Sequence, residues 1–196
     1  KEWEGELAGR YEHYSDAGST RNAKLSTRYE FTPRVALRAT ASTGFRAPSL
    51  AQEYYTSLAV SPTTAGGQLA VNSDAARKLG ATPLRPEKSR SYNLGLVAEP
   101  VDNLHLTLDA YRIDIRDRIV QGGTYSGQAA IDALTGAGIS LPSGLSSVSA
   151  NYFANGVNTR TQGLDLVASY PTNLGNAGRI DWDVSVDSTI SRAHQH

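Results

Sequence analysis

Seven successive stretches of the sequence alternate apolar and polar side chains with a period of two, and nothing else in the chain limits its fold as strongly. Successive side chains of a strand point to opposite faces, so each stretch predicts a strand with one apolar and one polar face. In the first, Trp3, Gly5, Leu7, Gly9, Tyr11 and His13 share one face while Glu2, Glu4, Glu6, Arg10 and Glu12 share the other. The second places Ala23, Leu25, Thr27, Tyr29 and Phe31 opposite Lys24, Ser26, Arg28 and Glu30. The third sets the odd positions from Val35 to Phe45 against Arg38, Thr40, Ser42 and Arg46. Tyr92 to Ala98, Leu104 to Ala110, Leu164 to Tyr170 and Ile180 to Ile190 continue the pattern at even positions. The apolar faces comprise 35 positions without one Asp, Glu, Lys or Arg, where a charged fraction of 19% would put about 7 by chance.

Composition narrows what such strands can build. The 196 residues carry 19 Lys+Arg against 19 Asp+Glu, so the basic excess that displaces counterions from a nucleic acid is missing and no nucleic-acid partner is expected. The chain has no Cys, which excludes disulfide frameworks, thiolate catalysis, Cys-ligated zinc and iron–sulfur clusters. Its 39% hydrophobic content falls below the ~45–50% of soluble globular domains. No segment supplies the ~20 consecutive apolar residues of a membrane-spanning helix. The long uncharged run from Ala133 to Thr159 is rich in Gly, Ser and Asn. The length suits one domain or part of one. Lys1-Glu2-Trp3-Glu4 holds neither a start Met nor a signal-peptide core, so processing or truncation is expected to have removed what precedes it.

One strand shifts its phase. Even positions are apolar from Leu104 to Ala110, but beyond them Tyr111, Ile113 and Ile115 are apolar at odd positions while Arg112, Asp114 and Arg116 are charged. Either a β-bulge near Ala110 and Tyr111 or emergence of the strand from the apolar layer accounts for this. The connections then set the architecture. Thr32-Pro33-Arg34, Glu99 to Asn103 and Pro171 to Gly178 are short, whereas Ala47 to Pro86 and Gly122 to Asn158 are long. The Ser15 to Asn22 connection is moderate and falls at the long-loop end. In up-and-down order the short turns share one end, beside Trp3, Tyr29, Phe31, Tyr170 and Trp182, while Tyr11, Tyr14, Phe45, Tyr92 and Tyr111 gather toward the other. Two aromatic girdles around a band of Leu, Val and Ala describe an all-β, antiparallel, up-and-down transmembrane β-barrel segment of seven strands with two long extracellular loops. Asn72 to Gly80 and Gln128 to Gly136 are short helix candidates within those loops.

Gly44-Phe45-Arg46-Ala47-Pro48-Ser49-Leu50, followed by Leu84-Arg85-Pro86-Glu87-Lys88-Ser89-Arg90-Ser91-Tyr92, resembles the barrel domain of TonB-dependent outer-membrane receptors. Asp109 to Ile119 and Thr161-Gln162-Gly163-Leu164-Asp165-Leu166 extend the resemblance over nearly the whole chain. It implies a barrel of about 22 strands around a plug, in the outer membrane of a Gram-negative bacterium. It also implies import of a scarce nutrient, most often an iron chelate, with energy relayed by TonB through the plug. The implied partners are outer-membrane lipid, TonB and a small-molecule chelate; no cofactor and no enzymatic step are implied. The plug, the TonB-contacting segment and an aromatic-ended last strand are absent from residues 1–196, so the chain is expected to be a fragment of the barrel domain.

Candidate site residues follow from phase and position. Arg46 and Glu87 lie on the charged faces of the third and fourth strands at the long-loop end, so both should point into the lumen near its mouth and form a salt bridge between the feet of the loop. Pro48 and Pro86 should stop strand pairing there, since Pro cannot donate to the ladder. In the loops, Tyr54, Tyr55, Tyr125, Tyr152 and Phe153 are candidates for stacking on a chelate or sugar. Arg77 and Lys78, with Arg85, are candidates for attracting an anionic chelate. The alternating Glu2, Glu4, Glu6 and Glu12, and Asp181, Asp183 and Asp187, are read as wet strand faces, not as paired catalytic acids. His13 and His105 stand apart from any Ser-acid arrangement, and His194 with His196 is read as terminal sequence, not a metal site. The alternative is a soluble or surface-exposed β-rich module binding carbohydrate or another ligand, whose apolar faces would meet in a core. Against it, Gly5, Gly9, Ala39, Ala41, Ala98 and Ala168 make a thin face that fills a core poorly.

Overall fold

The computed structural model describes residues 1–14 and 18–195. The alternating stretches form β1 (Trp3–Tyr14), β2 (Gly18–Thr32), β3 (Val35–Arg46), β6 (Glu87–Ala98), β7 (His105–Gln121), β10 (Phe153–Asn173) and β11 (Arg179–Gln195). They make one seven-stranded sheet in the order β1-β2-β3-β6-β7-β10-β11. Neighbours in that order follow one another along the chain apart from the long connections, which is the up-and-down arrangement expected. Ser15, Asp16, Ala17 and His196 lie outside the described residues. The connection predicted from Ser15 to Asn22 is shorter than expected, since β2 already starts at Gly18, opposite Tyr14. β10 starts at Phe153, five residues before the Asn158 where the second long connection was expected to end.

The chain divides into two compact units, the first of Lys1–Phe45, Lys88–Ile115 and Thr159–His194, the second of Arg46–Glu87 and Arg116–Asn158 with Gln195. In the first, register follows the two-residue phase: Trp3↔Tyr29, Leu7↔Leu25 and Gly9↔Ala23 pair on β1 and β2, and Leu25↔Ala41 and Tyr29↔Leu37 on β2 and β3. The apolar side is therefore continuous across strands, and it stays uncovered: Leu7, Leu25, Leu94, Leu164, Val184 and Val186 are all exposed. A sandwich would bury that face against a second sheet; here it is exposed. The tryptophans of the same face satisfy their N–H groups inside the sheet. Trp3 Nε1 donates to Thr27 Oγ1 at 2.7 Å and Trp182 Nε1 to Thr172 Oγ1 at 3.0 Å, a requirement wherever water does not reach.

The opposite face is laced by polar contacts. Lys24 and Ser26 bond Glu6, Ser169 bonds Asp183, and Arg38 Nη2 lies 2.6 Å from Asp109 Oδ2. Gly95 makes room for that last pair, since a Cβ there would stand 2.3 Å from Asp109 Oδ1 and 2.5 Å from Arg38 Nε. Gly163 likewise admits Tyr111, whose hydroxyl would lie 2.6 Å from an added Cβ and which bonds Thr189 Oγ1 at 2.7 Å. These contacts settle the phase of β7. Asp109 and Tyr111 point to the same polar side, so no face reversal occurs between them and the bulge expected at Ala110 and Tyr111 is not what changes the pattern. The strand emerges from the apolar layer, and Arg112 and Asp114 occupy the phase of Leu106 and Leu108. The backbone irregularity of β7 comes later, at Asp117, whose φ of 56° is the left-handed conformation that Asp tolerates better than most residues.

The second unit holds the packed core. Leu69, Val71, Ala76, Leu134, Val148 and Ala150 are its centre. It contains a second, four-stranded sheet ordered β4-β5-β9-β8, from β4 (Ser57–Val60), β5 (Thr64–Gln68), β8 (Tyr125–Ser126) and β9 (Ser147–Asn151). Three helices accompany it: α1 (Leu50–Tyr54), α2 (Asp74–Lys78) and α3 (Gln128–Gly136). Two of these are the predicted helices; α1 and the small sheet were not expected. Ser49 and Gln52 form a reciprocal capping box at the start of α1, with Ser49 Oγ accepting from Gln52 N at 3.2 Å and Gln52 Oε1 accepting from Ser49 N at 3.0 Å. In α2, Ser73 Oγ accepts from Ala76 N at 3.1 Å, with Asp74 in the first turn and Arg77 and Lys78 in the last, a charge order that suits the helix dipole. β5 and β9 run parallel, which ties the two long connections together: Ala65 faces Val148 and Gly67 faces Ala150.

Candidate functional site

Arg46 ends β3 and Glu87 opens β6, two residues before Pro48 and one after Pro86. Both keep the polar phase of their strands. Their side chains meet in a bidentate bridge, Arg46 Nε to Glu87 Oε2 at 2.9 Å and Arg46 Nη2 to Glu87 Oε1 at 2.6 Å. Glu87 is buried and accepts a further bond from the Ile119 N–H at 2.8 Å. Burial pushes its carboxyl up, but the bonds from Arg46 and Ile119 and the nearby Arg46 and Arg118 charges outweigh that and hold it below the ordinary carboxylate range. One carboxylate thus joins the ends of two strands to a third.

A second polar knot lies close by in sequence. Asn155 binds three backbone groups: its Oδ1 accepts from Arg85 N at 2.8 Å, and its Nδ2 donates to Arg85 O at 2.9 Å and to Asp117 O at 2.6 Å. Asn158 Oδ1 accepts from Asp117 N at 3.0 Å, and Arg85 Nη2 reaches Asp117 Oδ1 at 3.0 Å. The irregular backbone at Asp117 is held on both its N–H and its C=O by amide side chains. Asn155 and Asn158 did not stand out among the Asn, Gly and Thr of the second long connection. The clue available was Asp117 itself, an Asp between two Arg at the end of an alternating strand.

The predicted loop aromatics separate into two groups. Tyr54 and Tyr55 are 61% and 59% exposed, at the end of α1, and Arg77 and Lys78 are exposed on α2, where Arg77 pairs loosely with Asp74 at 3.7 Å. The Glu53 carbonyl of α1 accepts from Asn72 N at 3.3 Å, which links α1 to the segment entering α2. Tyr125, Tyr152 and Phe153 instead belong to the interior. Tyr152 is buried, stacks on Tyr125 with ring centroids 5.8 Å apart, bonds its hydroxyl at 3.0 Å, and donates to the Leu79 carbonyl at 3.2 Å. Burial and the Tyr125 hydroxyl push its phenol up to about 12. Phe153 packs against the same core. Of the loop candidates, then, Tyr54, Tyr55, Arg77 and Lys78 offer exposed surface, Arg85 is exposed but tied to Asp117, and Tyr125, Tyr152 and Phe153 build the body of the second unit. Among the described residues, no group of three or more His, Cys, Asp or Glu is placed to hold a metal ion.

The profile of the TonB dependent receptor-like β-barrel family matches residues 1–193. No curated protein matches the sequence. Among solved structures, the siderophore receptor PirA from Pseudomonas aeruginosa is similar at 17% identity over 97% of this chain and 32% of its own, with a TM-score of 0.67. PirA from Acinetobacter baumannii is similar at 17% identity over 96% and 25%, with a TM-score of 0.65. A ferric enterobactin receptor variant from Pseudomonas aeruginosa, in complex with enterobactin, matches at 18% identity over 95% and 24%, with a TM-score of 0.63. The chain therefore spans a quarter to a third of the length of these structures, and at such identities the likeness carries the fold.

Proposed function

The chain belongs to the TonB-dependent receptor β-barrel family, and we propose on that premise that it forms part of the wall and loops of an outer-membrane receptor importing a ferric chelate. The observation that carries this reading is the uncovered apolar face of the seven-stranded sheet, set against a polar face laced by ion pairs. A sheet of that kind is stable where hydrocarbon covers one side and water the other. The long connections lie on the extracellular side. Their packed second unit offers Tyr54, Tyr55, Arg77 and Lys78 to a ligand, the tyrosines as amphipathic stacking surface and the cations as attraction for an anionic chelate. Tyr125, Tyr152 and Phe153 support that surface from within. The Arg46–Glu87 bridge, with Pro48 and Pro86 beside it, fixes the two ends of the first loop. Import needs no covalent step: the loops capture, the lumen passes the ligand, and TonB supplies the work through a plug.

Uptake of radiolabelled ferric chelates by cells that carry the complete gene, compared with cells that lack it under iron limitation, tests the proposal. Uptake of at least one ferric chelate that depends on the gene and on the proton gradient is the expected result. The replacement pair Tyr54→Ala and Tyr55→Ala should raise the half-saturating concentration while leaving the amount of receptor in the membrane unchanged. Growth and uptake indifferent to the gene across hydroxamate, catecholate and citrate chelates would overturn iron import as the function.

A further inference from the structure

The return segment of the first long connection, residues 79–86, belongs to no helix and no strand. Pro83 and Pro86 interrupt it, and Pro has no N–H to give to a ladder. It leaves α2 directly after Arg77 and Lys78 and enters β6 at Glu87. Two side chains from the end of the second connection and the start of β10 hold it. Where the segment begins, Tyr152 donates its hydroxyl to the Leu79 carbonyl at 3.2 Å. Where it ends, Asn155 takes both backbone groups of Arg85: Oδ1 accepts from Arg85 N at 2.8 Å, and Nδ2 donates to Arg85 O at 2.9 Å. Between these points Ala81 and Leu84 are buried in the core of the second unit.

Asn155 does for Arg85 what a neighbouring strand would do. Pairing the N–H and C=O of one residue together takes an acceptor and a donor on one short planar group, which Asn supplies and Asp or Leu does not. Its Nδ2 also donates to Asp117 O at 2.6 Å, and Asn158 Oδ1 accepts from Asp117 N at 3.0 Å, so the amide is anchored to β7 as well. Tyr152 is fixed by its stack on Tyr125 and by the bond between the two hydroxyls. With the Tyr152 proton committed to Leu79, Tyr125 is the donor in that bond. Both clasping side chains thus have their polar atoms engaged by the protein. The helix they restrain cannot hold its own place: α2 has five residues and buries Ala75 and Ala76, and so short a helix has no stability apart from its packing. Arg77 and Lys78 project from it into solvent.

We propose that Tyr152 and Asn155 are positioning residues for ligand capture: they clasp the segment behind α2 and so set where the Arg77 and Lys78 cations stand. The inference rests on the capture reading above. The second long connection thereby shapes a surface that the first one presents. Cations placed in advance lose less freedom when an anion binds, and that gain disappears with the clasp although both charges remain. Passage through the lumen and the work supplied by TonB do not involve these two residues. Loss of the clasp therefore changes the concentration at which capture saturates and leaves the maximal rate as it was.

The test uses cells carrying the complete gene, radiolabelled ferric complexes of a hydroxamate, a catecholate and citrate, and the receptor purified in detergent for hydrogen exchange. In Asn155→Leu, which keeps the volume and adds no charge, exchange across residues 74–86 should accelerate about tenfold while α3 keeps the wild-type pattern. For each complex the wild type imports, the half-saturating concentration should rise about fivefold in Asn155→Leu and about threefold in Tyr152→Phe, at an unchanged maximal rate and amount of receptor. Tyr152→Phe carries the test if Asn155→Leu does not reach the membrane. In the background Arg77→Gln, Lys78→Gln, either clasp variant should add less than about twofold, because the groups it positions are gone. Undiminished effects in that background, or wild-type exchange across residues 74–86, overturn the clasp and leave iron import standing. A wild type that imports none of the three complexes overturns the import reading and, with it, the role of the clasp in capture.

Discussion

Glu87 shows how much one side chain can connect. It accepts from Arg46 on β3 and from the backbone of Ile119 on β7 while opening β6 itself. Glu87→Gln keeps the shape and removes the charge, and because Arg46 remains half exposed and returns to water, the cost should be about 1–2 kcal/mol, read as a lower unfolding midpoint in urea. The pH dependence has a definite sign. A carboxylate held below its ordinary value of 4.5 stabilises the folded form at neutral pH, and that contribution is complete above the unfolded value and lost as pH falls through the folded one. Proteolysis of the Ala47–Pro86 connection should therefore accelerate below pH 4.5 in the wild type and show no such acid step in Glu87→Gln. Tyr152 gives the opposite sign at the alkaline end. Its phenol is pushed up to about 12 from 10.0, so the stability it adds is whole below pH 10 and is lost as pH rises toward 12. A spectrophotometric titration of wild type against Tyr152→Phe should lose its latest-ionising tyrosine in the variant, and a loss from the earlier group instead would contradict the stacked, bonded geometry.

At the scale of elements, the long strands were legible because a single physical rule writes them: one face meets one solvent throughout, so the residue types repeat every second position. Even the break in β7 could be read, although its cause needed the contacts of Asp109 and Tyr111 to decide between a bulge and an exit from the apolar layer. The capped helices were legible in part. Ser73 and Asp74 before Arg77 and Lys78 mark α2, whereas the Ser49-to-Gln52 box of α1 was overlooked because Ala47 and Pro48 read as loop. The four-stranded sheet was hidden for another reason. Its strands of two to five residues are too short for a period to emerge, and β5 and β9 owe their pairing to chain segments more than eighty residues apart. Packing of α3 on that sheet depends on Gly67, where an added Cβ would stand 2.2 Å from Leu134 Cδ2. Gly67→Ala should destabilise the second unit by about 1–3 kcal/mol, the usual range for overpacking, and Leu134→Ala, which opens a cavity at a fully buried site, by about 2–5 kcal/mol. The double replacement should cost less than the two effects combined, because shortening Leu134 vacates the space the new methyl requires. Urea midpoints of the four proteins provide the cycle, and strict additivity would show that α3 does not rest on Gly67.

For the whole molecule, the two faces of the large sheet make opposite demands on a new charge. Leu166 and Val184 share the uncovered apolar phase, in the middle of strands whose polar side carries Asp165 and Asp183 one residue away. If hydrocarbon covers the apolar phase, an Arg there must be brought out of water, at about 2–4 kcal/mol near the bilayer midplane and about 0–1 kcal/mol near its edge. Leu166→Arg and Val184→Arg should therefore lower the urea midpoint of the vesicle-inserted protein strongly, Ile180→Arg on the same phase but beyond Trp182 at the short-turn rim much less, and Ser26→Arg or Thr40→Arg on the polar phase least of all. The gradient is the informative quantity. A soluble sheet with one face buried would penalise Val184→Arg and Ile180→Arg according to local packing, with no dependence on distance from a midplane, and would retain that ranking in detergent-free buffer. A graded penalty that follows position along the strand and disappears on the neighbouring, oppositely directed residue requires a layered solvent, which is the condition that allows a thin sheet with little core of its own to keep Leu7, Leu94 and Val186 facing outward.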